Sequence, residues 1–281
     1  MAEGHRASRL HVVHQPAARG VASQHPAPVR APDGVSRART REPDAVERAR
    51  QSLLPRTYLY PGVTLTAFVD TRSAAGGDFY VVEPIPDGRL LIVVGDVTGH
   101  GLTASVVMNL VYGLVARLAG QFGQATEVLD CVSENMCNLL PSTDEGVFAT
   151  MLVSYLDPAG RVFHAARAGH WPPVAVSASG DARVLPLPNG LPCGVERSCG
   201  ASAVDLTLSA GETVVLYTDG ITESRSPAGA QFGVEGILQA LGDAARDHQT
   251  VNAELVRDAA ARFRGGGPAS DDSTVVAVTL D

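Results

Sequence analysis

Four aspartates lie where runs of apolar, strand-like residues begin or end. They are Asp78, Asp96, Asp219 and Asp271, and each stands close to glycine or another small residue. A carboxylate at the end of a buried strand is held by a rigid element and points out of the sheet. Several such carboxylates at one place would repel one another unless a cation lay between them. A hard divalent cation prefers oxygen ligands, so the four positions together predict a metal centre.

Each of these motifs, taken alone, also has an ordinary structural explanation. The glycine-rich segment 95–101 could be a tight turn or a phosphate-binding loop, although it lacks the lysine and the spacing of a P-loop. Asp219 followed by Gly220 is common turn chemistry. The pair Asp271 and Asp272 could cap a strand. The metal interpretation therefore depends on all four positions sharing the same strand-end arrangement.

The composition restricts the classes of protein to which the chain can belong. Its 281 residues, 45% of them hydrophobic, are enough for one large domain or two small ones with a sizeable core. All 22 basic residues are arginine, which excludes a lysine nucleophile or Schiff base. Residues 58–281 carry twelve arginines against 25 acids. This acidic balance argues against nucleic acid as a partner.

The cysteines and the apolar segments indicate a cytoplasmic protein. The pairs Cys131/Cys137 and Cys193/Cys199 are spaced six residues apart, which does not match common zinc sites, so reduced thiols are expected. The N-terminus lacks the apolar region of a signal peptide. The longest apolar stretch, near 106–120, is interrupted by polar residues and is too short to span a bilayer. No membrane partner is therefore expected.

The pattern along the chain predicts three segments. Residues 1–42 are rich in Ala, Pro and Arg and are predicted to be a disordered tail, because they cannot bury enough apolar area to offset chain entropy. Residues 43–57 are predicted to be a linker, with a short helix from Asp44 to Leu54 that Pro55 ends. Residues 58–281 are predicted to form the folded domain.

Within the domain, hydrophobic periodicity predicts about ten strands and four helices. Short turns containing glycine or proline join consecutive strands, which indicates antiparallel pairing. The helices come in pairs between blocks of strands. The predicted fold class is therefore α+β, with two packed antiparallel sheets flanked by helix pairs. Strands are predicted near 63–69, 78–83, 89–94, 148–156, 161–168, 173–178, 182–187, 203–208, 212–218 and 273–280, and helices near 102–118, 126–140, 233–242 and 250–263.

An ordered set of six motifs occupies residues 76–80, 95–101, 168–173, 190–195, 217–223 and 271–275. This set resembles the SpoIIE/RsbU-type serine/threonine phosphatases, a bacterial branch of the metal-dependent protein phosphatase 2C (PPM) superfamily. The likeness covers residues 46–281.

The resemblance implies an α-β-β-α sandwich with two Mn²⁺ or Mg²⁺ ions at one end. Asp96 would be the bridging carboxylate and, with Asp219, a catalytic residue. The backbone carbonyl of Val97 would be a further metal ligand. Asp78, Asp219 and Asp271 match the remaining acidic ligands, and motif alignment favours Asp271 over Asp272.

The implied activity is hydrolysis of a phosphoserine or phosphothreonine by a water that two metal ions activate. The implied substrate is a STAS-type anti-anti-sigma protein. A second regulatory protein is a further expected partner, and homodimerisation stays open. The alternatives are a pseudophosphatase that acts as a regulatory binding module and a metal-dependent enzyme acting on another phosphoester, such as a nucleotide.

The sequence departs from the family pattern at two positions. Val81 stands where members often have an aspartate, which is the sequence support for the pseudophosphatase alternative. Thr98 stands where eukaryotic relatives carry a general-acid histidine, and that role is not transferred to His100. The segment around His170 and Trp171 is interpreted as a proline-stiffened turn with Trp171 as a packing anchor; a functional His170 is the alternative.

Overall fold

A computed structural model describes residues 57–71, 76–99, 101–140 and 146–281. The first of its two sheets, sheet I, has six antiparallel strands in the order β1-β2-β12-β11-β7-β8. These strands are β1 (Thr57–Tyr60), β2 (Val63–Asp70), β7 (Val174–Val176), β8 (Ala182–Val184), β11 (Thr213–Tyr217) and β12 (Ser273–Leu280).

The second sheet, sheet II, has the antiparallel order β10-β6-β5-β4-β3, and a two-residue strand β9 pairs in parallel with β6. Its strands are β3 (Asp78–Pro84), β4 (Leu90–Val97), β5 (Ala149–Asp157), β6 (Val162–Ala168), β9 (Asn189–Gly190) and β10 (Val204–Thr207). Five helices are described: α1 (Leu102–Leu118), α2 (Ala125–Leu139), α3 (Asp219–Thr222), α4 (Gly233–Arg246) and α5 (Ala253–Phe263). None of them is both long and apolar enough to cross a membrane.

Three apolar clusters hold the layers together. In β4, Ile92 and Val94 pack towards sheet I, whereas Leu91 and Val93 pack against α1 and α2, because side chains alternate between the two faces of a strand. The outer face of sheet I, including Val215, packs against α4 and α5. Each fully buried aliphatic side chain contributes about 1.5–3 kcal/mol. The layers follow the order α-β-β-α, so the predicted fold class is confirmed.

The predicted elements agree with the structure except at some ends and in the shortest segments. Helix α4 runs to Arg246, beyond the predicted end at 242, and β8 ends at Val184, before the predicted end at 187. Helix α5 begins at Ala253, later than predicted, because the side chain of Asn252 accepts a hydrogen bond from Leu255 N and so caps the helix. The sequence pattern missed β1, β9 and the one-turn helix α3, which are too short to show a period. The predicted tail (1–42) and almost all of the predicted linker (43–57) lie outside the described residues, so the domain boundaries stay predictions.

Candidate metal centre

A row of polar side chains crosses sheet II at one end of the sandwich. Asp78 in β3 is paired with Asp96 in β4, and Asp96 is paired with Thr150 in β5. Directly paired residues of antiparallel strands project from the same face, with Cβ atoms about 4.5–5.5 Å apart. These three residues alternate in phase with Ile92 and Val94, which pack towards sheet I. The row therefore faces the gap between the sheets.

A hydrogen-bonded clamp joins Asp78 to the neighbouring end of sheet I. Asp78 is 1% exposed, and its Oδ2 accepts a hydrogen bond of 2.7 Å from Thr218 Oγ1. Thr218 Oγ1 in turn accepts a hydrogen bond of 2.8 Å from Thr274 N. Burial and the charge of Asp96 raise the pKa of Asp78 well above its usual range. The sequence pattern did not single out Thr218, although it directly precedes Asp219 and strand alternation turns it towards sheet II.

Asp96 is the aspartate whose pKa is affected by the largest number of neighbouring acids at this end of the sandwich. Burial is the main cause that raises the pKa of its carboxyl to about 7. Repulsion from nearby carboxylates adds to this effect, and these are Asp219, Asp271 and Asp272. Burial, followed by repulsion from Asp271, also raises the pKa of Asp219. The four aspartates singled out in the sequence therefore lie at the same end of the sandwich, near enough to feel one another's charge.

Gly77 keeps the space beside Asp96 open. A Cβ atom at this position would lie 2.4 Å from the Val97 carbonyl oxygen and 3.0 Å from Asp96 Oδ1. Val97 N also donates a hydrogen bond of 3.2 Å to Gly77 O. Only glycine allows this close approach of two chain segments. The Val97 carbonyl and the Asp96 carboxylate can therefore both offer oxygen ligands to the small space beside Gly77.

The two adjacent acids at the start of β12 have different environments. Asp272 Oδ2 accepts a hydrogen bond of 3.0 Å from Gly77 N, which joins β12 to the turn before β3. Asp271 is exposed, and its Oδ1 accepts a hydrogen bond of 2.9 Å from Asp272 N. The carboxylate of Asp272 is thus engaged in holding the backbone of the site. Asp271 has the more accessible carboxylate of the two.

Two further positions that the sequence raised, Thr98 and Val81, do not add a reactive group to this gap. The Thr98 hydroxyl is engaged with the backbone of Phe148, donating to its carbonyl oxygen at 3.0 Å and accepting from its N–H at 3.1 Å. Val81 is buried in the cluster beneath α1 and α2, on the opposite face of sheet II from Asp78. His100 lies outside the described residues.

The cysteines are reduced, as expected, whereas Trp171 is more exposed than expected. All four cysteines are free thiols, and Cys193 Sγ lies 3.5 Å from Cys199 Sγ in the core beneath α2. Trp171 is 41% exposed, so its interpretation as a packing anchor was wrong. The neighbouring His170 is instead buried, at 2% exposed.

The donors at this end of the sandwich suit a hard cation. They are carboxylate and backbone carbonyl oxygens, the ligands that Mg²⁺ and Mn²⁺ prefer. Across the described ranges, no group of three His, Cys, Asp or Glu side chains is close-set enough to hold an ion by itself. Mg²⁺ is commonly bound by only one or two carboxylates and keeps several waters. The residues present therefore fit ions whose coordination water completes.

Comparison with known proteins gives a consistent family. Residues 86–281 match the family described as Stage II sporulation protein E (SpoIIE). The chain is 23% identical over 162 residues to the phosphoserine phosphatase RsbP of Bacillus subtilis (strain 168), which covers 57% of this chain and 40% of RsbP. It spans about two fifths of the length of the curated relatives that it matches.

Two solved structures share the fold. The RsbU and RsbW domains of Rv1364c from Mycobacterium tuberculosis match with a TM-score of 0.66 and 27% identity, covering 79% of this chain and 62% of that one. The SiaA-PP2C domain of Pseudomonas aeruginosa matches with a TM-score of 0.73 and 20% identity, covering 88% of this chain and 99% of that one. With 196 of 281 residues in the family match, the chain belongs to the SpoIIE family.

Proposed function

We propose that this chain is a metal-dependent phosphatase that removes phosphate from a phosphoserine or phosphothreonine of a regulatory partner protein. The observation that carries the proposal is the convergence of Asp78, Asp96, Asp219 and Asp271 at one end of the sandwich. Burial and repulsion from neighbouring acids raise the pKa of Asp96 to about 7. Perturbed carboxyl groups that converge in this way mark candidate functional sites. A pair of divalent cations would offset the repulsion that, after burial, adds to this pKa shift.

The proposed ligands of two Mn²⁺ or Mg²⁺ ions are the side chains of Asp78, Asp96, Asp219 and Asp271 and the carbonyl oxygen of Val97. When bound, such ions lower the pKa of a coordinated water and neutralise charge on the phosphoryl oxygens. By the family resemblance Asp96 would be the carboxylate that both ions share; its pairing with Asp78 and its electrostatic interaction with Asp219 and Asp271 support this role. We assign the catalytic roles to Asp96 and Asp219.

The chain's own residues orient these groups. Thr218 fixes the carboxylate of Asp78 with a hydrogen bond of 2.7 Å, and Asp272 holds Gly77 N at 3.0 Å. Gly77 leaves room beside Asp96. Asp271 is exposed, so the edge of the site is open to a phosphorylated side chain of another protein. The hydroxyl of Thr98 is engaged with the backbone of Phe148 and so adds no free nucleophile to the site.

The proposed substrate is a STAS-type anti-anti-sigma protein, and a second regulatory protein is a further proposed partner. Support comes from the motifs shared with RsbU-type phosphatases and from the likeness to RsbP, which is named a phosphoserine phosphatase. The pseudophosphatase alternative depends on Val81. Because Val81 is buried against the helices and not in the gap, its apolar side chain leaves the proposed ligand set intact.

The proposal is tested by measuring Mn²⁺-dependent turnover of three substrates: a phosphoserine STAS protein, a nucleotide and an aryl phosphate. The wild type is compared with Asp96→Asn, Asp219→Asn and the control Asp247→Asn, which neutralises an exposed acid. We expect turnover of the protein and the aryl phosphate to fall at least a hundredfold in the two site variants and to stay unchanged in the control.

The other outcomes separate the alternatives. Turnover of the nucleotide alone would favour an enzyme of another substrate class. Mn²⁺ binding with tight association of the phosphoprotein and no turnover would favour the pseudophosphatase. Full activity of folded Asp96→Asn and Asp219→Asn would show that the site has been assigned to the wrong residues.

A further inference from the structure

His170 lies in the segment that carries the chain from sheet II to sheet I, at the end of the sandwich that holds the four aspartates. Strand β6 ends at Ala168 in sheet II, and β7 begins at Val174 in sheet I. The crossing starts at Gly169, whose φ is +70° and whose Cβ, if present, would lie 2.6 Å from the Pro192 side chain. Glycine is therefore required there, and it delivers the next side chain into the interior.

The ring of His170 contacts the neighbour of Asp96. His170 Nδ1 lies 2.9 Å from Thr150 Oγ1, and Thr150 is paired with Asp96 across β5 and β4. Burial lowers the pKa of His170 to about 4, so the ring is neutral near pH 7. When the Thr150 hydroxyl donates to Nδ1, the ring proton resides on Nε2.

The opposite side of the ring faces sheet I. Nε2 is buried and has no partner that meets full hydrogen-bond geometry. The backbone of Tyr217 lies close enough to the ring to favour its protonated form. Tyr217 directly precedes Thr218, which binds Asp78, and Asp219. The ring thus spans from the neighbour of Asp96 to the backbone that carries Thr218 and Asp219.

Arg167 holds this arrangement in place. Its Nη1 donates a hydrogen bond of 2.6 Å to the His170 carbonyl oxygen, and its Nε donates one of 2.8 Å to the Leu187 carbonyl oxygen. Burial lowers the pKa of Arg167, whose guanidinium stays charged at neutral pH. Arg167 therefore ties the backbone that carries the His170 ring to the segment at Leu187.

We propose that His170 is a positioning residue that sets the separation between Asp96 on sheet II and Asp219 on sheet I, by joining Thr150 to the backbone of Tyr217. The inference rests on the proposed function, because it assumes that these aspartates bind metal. His170 touches neither the substrate nor the ions in this role. It acts through the two strand ends that carry Asp96 and Asp219. In other proteins, loss of a residue that orients a metal ligand weakens metal binding by about 10–100-fold.

The test measures Mn²⁺ affinity by calorimetry, a readout that does not depend on turnover. The informative variants are His170→Phe, Thr150→Val and the double variant. The matched controls are Thr150→Ser, which keeps the hydroxyl, and His164→Phe, which removes a ring that is bonded to Asp205. Urea unfolding in EDTA shows that each variant is folded.

We expect the dissociation constant for Mn²⁺ to rise about tenfold in each single variant. The double variant should resemble the singles, because the two side chains act as one unit. Thr150→Ser and His164→Phe should stay within about twofold of the wild type. A folded His170→Phe protein that binds Mn²⁺ with wild-type affinity would show that the ring is only a packing element and would overturn the inference. Absence of Mn²⁺ binding in the wild type would instead overturn the proposed function itself, and this inference with it.

Discussion

Replacement of Asp96 by asparagine should stabilise the metal-free protein at high pH. Asp96 is a buried acid whose pKa is raised to about 7 by burial and by the charges of neighbouring carboxylates. Ionisation of this group in the folded protein is therefore unfavourable. Asparagine keeps nearly the same shape and carries no charge. A residue proposed for catalysis would then be one that lowers the stability of the protein without metal.

The magnitude follows from linkage between protonation and folding. The folded-state pKa of about 7 lies above the reference value of 3.8. The stabilising contribution of the protonated form is therefore fully present below pH 4 and is lost as the pH rises through 7. Each pKa unit corresponds to about 1.4 kcal/mol, which gives an upper bound of about 4 kcal/mol at pH 8. Because Asp96 keeps partial contact with solvent, we expect a gain of about 2–4 kcal/mol.

The assay is urea unfolding of the wild type and Asp96→Asn in EDTA, at pH 5 and pH 8, with Asp247→Asn as the exposed-acid control. The variant should exceed the wild type in free energy of unfolding at pH 8 and approach it at pH 5. Saturating Mn²⁺ should stabilise the wild type and have a much smaller effect on the variant. If Asp96→Asn were equally or less stable than the wild type at pH 8, the conclusion that burial and charge repulsion make ionised Asp96 unfavourable would be wrong.

Three further predictions concern the residues around Asp96. Gly77→Ala should abolish most Mn²⁺ binding, because the alanine Cβ would lie 2.4 Å from the Val97 carbonyl oxygen. The control Gly113→Ala, at an exposed helical position with open space, should raise the free energy of unfolding by about 0.5–1 kcal/mol without affecting Mn²⁺ binding. Calorimetry measures the binding and urea unfolding the stability of both variants. Thr218→Val should lower the free energy of unfolding by about 1–3 kcal/mol, because it leaves Asp78 and Thr274 N without their shared hydroxyl, and an equal stability of wild type and variant in EDTA would contradict this. His170 has a folded pKa of about 4, below its reference value of 6.5, so the stability that it contributes above pH 6.5 is lost as the pH falls towards 4. Relative to His170→Gln, the wild type should lose up to about 3 kcal/mol of unfolding free energy over that range. Parallel pH profiles of unfolding free energy for the two proteins would refute this prediction.

The sequence predicted the layers well because hydrophobic periodicity is a local signal. The alternation in β4 assigned one face to the helices and the other to sheet I, and the structure has that arrangement. The convergence of the four aspartates was also predicted, because each of them lies where a strand-like run begins or ends. Helix α3 was missed, since four residues cannot show a helical period and Asp219 with Gly220 favours a turn.

The supporting residues of the site could not be predicted, because their partners are distant in the sequence. Thr218 is bonded to Asp78, 140 residues away, and nothing in either segment specifies the other. The same holds for the contact of His170 with Thr150, which depends on the register of β5. The different environments of Asp271 and Asp272 likewise emerge only when Gly77 N is seen to bind the second of them.

The separation of the two sheets at this end decides whether the aspartates can share ions. Asp78 and Asp96 belong to sheet II, whereas Asp219 and Asp271 follow or precede strands of sheet I. Packing between the sheets sets their average spacing at about 10 Å, which is too coarse to fix metal ligands to within tenths of an ångström. The bond from Thr218 to Asp78 is a direct link across the gap at this end. A precise site needs more than one such link, since a single hydrogen bond leaves the sheets free to pivot about it. A second link through His170, on the other side of Asp96, would remove that freedom.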